Sequence, residues 1–153
     1  MIKNLNEIME YLDCKNSIVW TNGCFDVLHG GHIKMLEYCK FLADQCGGYV
    51  FVGLDSDERI KNRKGKDRPV NSVEDRSYHL SALKYVDFVL PYDTDEELSF
   101  LVKSVKPKLM VVGNDYENKH VIGSEHGIEV VFFPKVGGHS STEIIEKIKR
   151  GVD

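Results

Sequence analysis

Two histidines three residues apart, His29 and His32, stand just past a glycine turn that follows an apolar run. Ile18-Val19-Trp20 reads as the end of a strand, Thr21-Asn22-Gly23-Cys24-Phe25-Asp26 as the turn, and the stretch from about Gly31 to Ala43 as a helix. A strand that feeds a helix through such a turn aims backbone N–H groups at one point, with the positive end of the helix dipole behind them. That point suits a phosphate. At the start of a helix His29 and His32 share a face, and an imidazole pair beside a phosphate pocket suggests phosphate chemistry. Zinc helices usually carry His at i and i+4 with a Glu base between them, and nothing nearby supplies that Glu. On spacing alone a metal pair and a plain helix cap both stay open.

Two further stretches could meet a phosphate. Lys61-Asn62-Arg63-Lys64-Gly65-Lys66-Asp67-Arg68-Pro69-Val70-Asn71 reads as a dense basic loop after a short helix capped at Asp55-Ser56-Asp57-Glu58. Most basic runs are simply solvated, but this one follows the carboxyl end of a strand, where open α/β sheets bind ligands. Near the other end, Gly137-Gly138-His139-Ser140-Ser141-Thr142 repeats the first junction: a glycine loop opens a helix, to about Lys149, and offers hydroxyl and N–H donors.

The elements that must position these groups alternate. A short amphipathic helix, about Asn4 to Leu12, carries Leu5, Ile8, Met9 and Leu12 and packs on the domain. Strands are expected at Ser17–Trp20, Tyr49–Leu54, Val86–Leu90, Leu109–Gly113 and Glu129–Phe133, with helices at Val73–Lys84 and Glu96–Val105 between them. Their continuous apolar character fits a parallel sheet buried on both faces, and the first strand, helix and strand form a right-handed unit. The expected architecture is α/β.

The 153 residues fit one domain, residues 1–153, with residues 1–14 as the packed N-terminal helix. Apolar content of 42% and charged content of 29% are those of a globular protein. A net charge of -4 argues against a general nucleic-acid binder. The start of the chain has no apolar run, so no signal peptide is expected, and no stretch is long enough to cross a membrane. Cys14, Cys24, Cys39 and Cys46 form no C-x-x-C pair or zinc spacing, which fits reduced thiols in a cytoplasmic protein.

The segment Thr21 to Asp26, followed by Leu28-His29-Gly30-Gly31-His32, resembles the H-x-G-H signature of the cytidylyltransferase-like nucleotidyltransferases. Lys61 to Asn71 is similar to the Lys-x-x-Lys-Gly…Arg-Pro-Val-Asn segment of that superfamily, and Arg76 matches the arginine of its Glu-x-Arg segment. Ser140-Ser141-Thr142 resembles its Ser-Thr-Thr or Ser-Ser-x-x-Ile motif, and Val121-Ile122-Gly123-Ser124-Glu125 resembles an Ile-x-Gly-Ser-Glu motif typical of the heptose-phosphate branch. The likeness runs from roughly Ile18 to Ile148 and is strongest to the adenylyltransferase domain that makes ADP-heptose from heptose 1-phosphate. In many relatives that domain is fused to a sugar kinase, and the expectation here is the stand-alone version.

The resemblance implies a Rossmann-like open parallel five-stranded sheet with helices on both faces. It also implies nucleotidyl transfer, in which a substrate phosphate attacks the α-phosphorus of a nucleoside triphosphate and pyrophosphate leaves. His29 and His32 would hold the triphosphate and stabilise the transition state, and the turn Thr21, Asn22, Gly23, Cys24 and Phe25, with Gly31, would cradle phosphate. Lys64, with Lys61, would bridge the two phosphates, Arg76 would fix the triphosphate or support the loop, and Arg68 would contact substrate. Ser140, Ser141 and Thr142 would take the β- and γ-phosphates, Asp26 would orient the turn or hold substrate, and Gly113 and Asp115 would meet base, ribose or acceptor. Mg2+ would shield the triphosphate and need few protein ligands; no metal site made by the protein alone is expected.

Two departures bear on the acceptor. The heptose branch carries Lys-Gly-Gly-Asp-Tyr where this chain has Val112-Gly113-Asn114-Asp115-Tyr116. Lys135 stands where the glycerol-phosphate branch tends to have an arginine, and Gly113-Asn114-Asp115-Tyr116 resembles that branch's Gly-Asp-Asp-Trp. The first choice is ATP with heptose 1-phosphate, ahead of CTP with glycerol 3-phosphate. An FAD-forming adenylyltransferase fits less well, and a nucleotide sensor without catalysis is the reading from another class. Relatives are often homodimers, for which exposed aromatic rings around Tyr78 and Tyr85 are the sequence sign.

Overall fold

A computed structural model of the protein describes residues 4–12 and 17–151. The expectation for Cys14 and the ends of the expected N-terminal segment lie outside the described residues. Helix α1 (Leu5–Tyr11) begins at Asn4, whose side chain accepts the Glu7 N–H at 3.0 Å, and buries Ile8 and the following Leu12. Five strands follow: β1 (Ile18–Gly23), β2 (Tyr49–Asp55), β3 (Phe88–Tyr92), β4 (Leu109–Gly113) and β5 (Glu129–Phe133). They form one sheet in the order β3-β2-β1-β4-β5, every pair parallel. This is the Rossmann-like sheet that the sequence implies.

Period two divides the apolar strand residues between two layers. Ile18, Trp20, Phe51, Leu90, Met110 and Val112 face α1 and α5 (Asp95–Val105), which contributes Leu98, Val102 and Val105. Val19, Val50, Val52, Leu54, Val89 and Val111 face α2 (Gly30–Asp44) and α4 (Val73–Ser81) through Leu36, Cys39, Ala43 and Leu80. Each fully buried side chain of this size stabilises the fold by roughly 1.5–3 kcal/mol. Trp20 needs a neighbour without a side chain: a Cβ on Gly53 would stand 2.6 Å from its ring.

Four expectations shift. Strand β1 runs on past Trp20 to Gly23, so Thr21, Asn22 and Gly23, expected in the turn, pair with Val52, Gly53 and Leu54 of β2. Helix α3 (Asp57–Lys64), capped by Ser56, extends through Lys61 and Lys64, so the basic stretch is half helix and half loop. Helix α4 ends at Ser81 rather than Lys84. Strand β3 starts two residues later than expected and runs through Pro91 to Tyr92. Pro91 is tolerated because β3 is an edge strand pairing only with β2. Asp87 lies outside that strand, where its carboxylate accepts the Val50 N–H at 2.8 Å and pairs with Lys40 at 3.2 Å. The last helix, α6 (Ser141–Arg150), is capped by Ser140. Tyr78 is 78% exposed, whereas the Tyr85 hydroxyl donates to Glu37 at 2.8 Å. No described helix is long and apolar enough to cross a membrane.

Candidate active site

The sheet opens where the site lies. Strand β1 pairs with β2 along its whole length, to Gly23 opposite Leu54, but with β4 only at Val19–Leu109 and Trp20–Met110. Strand order reverses at this point, and a crevice forms beyond the carboxyl ends of the strands. The cavity there measures about 520 Å³.

The turn after β1 is held under strain. Phe25 and Val27 take positive φ, 46° and 47°, which is costly for a side chain with a Cβ and most so for the branched valine. Three tethers over-determine it. Arg76 Nη1 donates to the Cys24 carbonyl at 2.7 Å. Ser141 Oγ, from the first turn of α6, donates to the Asp26 and Val27 carbonyls. The Asp26 carboxylate, buried, accepts the Val70 and Asn71 N–H groups at 2.8 and 3.0 Å and Arg68 Nε at 3.2 Å. Burial alone would push this carboxyl up; the two amides and the Arg68 guanidinium outweigh it and hold it below the usual range.

The histidines cap α2 reciprocally. His29 is the N-cap, and its Nδ1 accepts the Gly31 N–H at 3.1 Å; His32 Nδ1 accepts the His29 N–H at 3.4 Å. With both Nδ1 atoms used as acceptors, each neutral ring must carry its proton on Nε2. The rings stack at 3.8 Å, and His139 lies parallel to His29 at 6.2 Å. Burial, then the neighbouring His139, lowers the His29 pKa; burial, then His29 and Lys64, pushes His32 down to about 4. At neutral pH both rings are uncharged Nε2–H donors at the positive end of a helix dipole. Gly31 permits this packing, since a Cβ there would stand 2.9 Å from the His29 ring.

Opposite them stands a basic wall. Asp55, buried at the end of β2, accepts the Cys24 thiol at 3.1 Å and Arg59 Nε at 3.1 Å, with Arg63 Nη1 at 3.6 Å. Burial and Asp55 push the Cys24 thiol up, so it is a donor and not a thiolate. Trp20 Nε1 donates to Asn22 Oδ1 at 3.0 Å, and Asn22 Nδ2 to the Tyr92 hydroxyl at 3.4 Å. Burial and Asp55 raise the Tyr92 hydroxyl as well.

Most sequence-predicted residues meet at this cavity. Thr21, Asn22 and Gly23 line it from the end of β1, Cys24, Phe25 and Asp26 from the turn, and His29, Gly31 and His32 from the start of α2. Lys64 and Arg68 line the basic side; Gly113, Asp115, Lys135, Ser140, Ser141 and Thr142 complete the wall from the β4 and β5 ends. Two residues do not reach it. Lys61 is exposed on α3, nearly opposite the face that carries Arg59 and Arg63, so it is not placed to touch substrate there. Arg76 is fully buried; its guanidinium is consumed by the Asn71, Cys24 and Asp55 carbonyls and by Asp57 at 2.7 Å. The geometry therefore gives Arg76 the loop-supporting role and not direct contact with a triphosphate. Among the described residues no cluster of three possible ligands could hold a metal ion.

A match to the cytidylyltransferase-like family spans residues 20–147. The chain belongs to this family. It is a nucleotidyltransferase domain, 44% identical over 152 residues to the bifunctional protein HldE of Sulfurimonas denitrificans and 45% identical over 148 residues to that of Campylobacter fetus. Each alignment covers 97% of this chain but 31% of the relative, so the chain spans less than a third of their length. Among solved structures, the lipopolysaccharide core biosynthesis protein of Thermoplasma volcanium aligns with a TM-score of 0.61 and 28% identity, over 78% of this chain and 96% of that one. Pantothenate synthetase of Thermus thermophilus, at 16% identity, TM-score 0.60, and coverage of 88% and 61%, shares the fold alone.

The nucleotidyltransferase cavity also contains residues that the sequence reading passed over. Asp55, Arg59 and Arg63 follow an i, i+4, i+8 spacing whose common face became visible only once α3 was known to continue. Tyr92 was hidden behind Pro91, and His139 stood unassigned inside the glycine loop already singled out. Tyr116, the last residue of the Gly113-Asn114-Asp115-Tyr116 segment, lines the cavity beyond β4, as does His120, which no sequence signal marked. The Ile-x-Gly-Ser-Glu segment builds a turn: Glu125 accepts the Gly123 N–H at 2.7 Å and the Ser99 hydroxyl at 2.6 Å, and Val121 and Ile122 face the cavity. The Ser99 hydroxyl, then backbone amides, hold the Glu125 carboxyl down to about 2.

Proposed function

We propose that the domain transfers an adenylyl group from ATP to the phosphate of heptose 1-phosphate, forming ADP-heptose and pyrophosphate. A phosphate oxygen of the sugar phosphate attacks Pα, the Pα–O–Pβ bond breaks, and the electron pair leaves on pyrophosphate. A phosphate monoester is already a competent nucleophile near neutral pH, so the protein's task is positioning and charge stabilisation. The observation that carries this reading is the pair of stacked, neutral imidazoles whose Nδ1 atoms are fixed by the backbone and whose Nε2–H groups remain for phosphoryl oxygens.

The remaining roles rest on the motif resemblance and are supported by the residues that line the cavity. Lys64 and Arg68 supply positive charge near the reacting phosphates, and Ser140, Ser141 and Thr142 supply donors at the N-terminus of α6. Asp26 and Asp55 are already saturated by protein donors, so they organise the site and are poor candidates for metal ligands. Magnesium would enter with the substrate as MgATP and shield the triphosphate charge. The choice of heptose rests on the motif resemblance and on the relatives named above. A second reading, CTP with glycerol 3-phosphate, is favoured by Val112, which leaves the wall apolar where the heptose branch carries lysine. A homodimer belongs to the same reading, supported by the exposed Tyr78 ring; a light-scattering mass of one chain would remove it.

The test is pyrophosphate release with Mg2+, pairing ATP or CTP with heptose 1-phosphate or glycerol 3-phosphate, with His32→Ala as control. Release with ATP and heptose 1-phosphate alone supports the proposal. CTP with glycerol 3-phosphate would overturn the substrate assignment and keep the chemistry. Nucleotide binding without turnover of either acceptor would favour a sensor.

A further inference from the structure

We propose that His139 is a third phosphate-binding imidazole, which holds the pyrophosphate end of the bound nucleotide. The proposal rests on the nucleotidyl-transfer reading but not on the identity of the acceptor. Two helix N-termini open on the same cavity, that of α2 at His29 and that of α6 at Ser140. His139 immediately precedes the cap of one and lies over the first turn of the other. A Cβ on Gly30 would stand 3.4 Å from its Cε1, and a Cβ on Gly31 would stand 3.3 Å from its Cβ. The ring therefore adjoins both helix starts.

The ring is also held in place. Ser141, two residues on, donates its hydroxyl to the Asp26 and Val27 carbonyls and so ties the start of α6 to the turn that carries His29. His139 lies parallel to His29, with 12° between the ring planes. The two rings differ in one respect. His29 and His32 each spend Nδ1 on the α2 cap, whereas His139 makes no hydrogen bond to the described residues and keeps both ring nitrogens for a ligand. Half-buried and lining the cavity, it adds a donor between the imidazole pair and the Ser140–Thr142 donors.

A purely structural role would be to cover Gly30 and Gly31, and two variants separate the roles. His139→Phe keeps a flat ring over the glycines and removes the N–H; His139→Gln keeps a donor and loses the ring. Affinities for magnesium pyrophosphate and for AMP are measured by calorimetry on the full chain. The expected result is that His139→Phe weakens pyrophosphate binding about tenfold, the worth of one hydrogen bond to a charged group, with AMP unchanged and His139→Gln close to wild type. Wild-type pyrophosphate affinity in His139→Phe, or equal losses for AMP and pyrophosphate, overturns the role. Failure of the wild-type protein to bind MgATP, MgCTP or magnesium pyrophosphate overturns the nucleotide reading with it, so the two failures are distinct.

Discussion

Two imidazoles at the start of α2 are kept neutral, and that neutrality has a cost in acid. The His32 pKa in the folded protein is about 4, against an ordinary value of 6.5. Between those values the native state binds fewer protons than the unfolded chain, so stability falls as pH drops through that window. His32→Gln retains an acceptor at the third helical position, where Gln also serves a capping box, and removes the titration. The loss of unfolding free energy between pH 7 and pH 5 should therefore shrink in the variant, by up to about 2 kcal/mol; equal losses in denaturant titrations at the two pH values would contradict the assignment. Gly31→Ala probes the same cap from the backbone side. Alanine is better than glycine in a helix by roughly 0.5–1 kcal/mol, but its methyl would meet the His29 ring at 2.9 Å. Melting temperature should change little, while kcat/KM for pyrophosphate release falls on the order of a hundredfold.

At the scale of elements, the strained turn between β1 and α2 is stabilised by pieces from α4, α6 and the loop after α3, and Arg76 is the most heavily committed of them. Arg76→Ala would leave three carbonyls and Asp57 without their donor inside the fold. A loss of roughly 3–5 kcal/mol is expected, and Arg76→Lys should recover only part of it, because a point charge cannot span the partners that the planar fork reaches. Chemical denaturation reads both; a full rescue by lysine would show that charge alone matters. The sequence left Arg76 between fixing the triphosphate and supporting the loop, because a motif match is silent about burial. It put His29, His32, Ser140 and Ser141 at helix starts, where the structure also has them, because such starts are marked by local capping chemistry. It misplaced Lys61 because the helical register of Asp57–Lys64 is set by the Ser56 cap and the single buried contact Ile60, a weak periodic signal within a charged run. Pro91 hid the end of β3 because edge position is a property of the whole sheet.

Across the whole molecule, the strand order was legible only as a class. Alternating strands and helices dictate a parallel sheet, but the 3-2-1-4-5 order, and with it the crevice beyond Trp20, is a tertiary fact. That crevice divides the protein into a half carrying β1 to β3 with α2 and a half carrying β4 and β5 with α6. A nucleotide that contacts His29 and His32 on one side and Ser140 to Thr142 on the other would tie the halves together, so binding should appear as stability. At a hundred times its dissociation constant MgATP should add about 2.7 kcal/mol, which for a chain of this size is a rise of roughly 5–10 °C in Tm. EDTA should cancel that rise when ATP is present and abolish pyrophosphate release. Without nucleotide it should leave Tm unchanged, because no described cluster of side chains holds an ion of its own. A fall in Tm on adding EDTA to the nucleotide-free protein would reveal a metal bound by the fold itself and would move magnesium from the substrate to the protein.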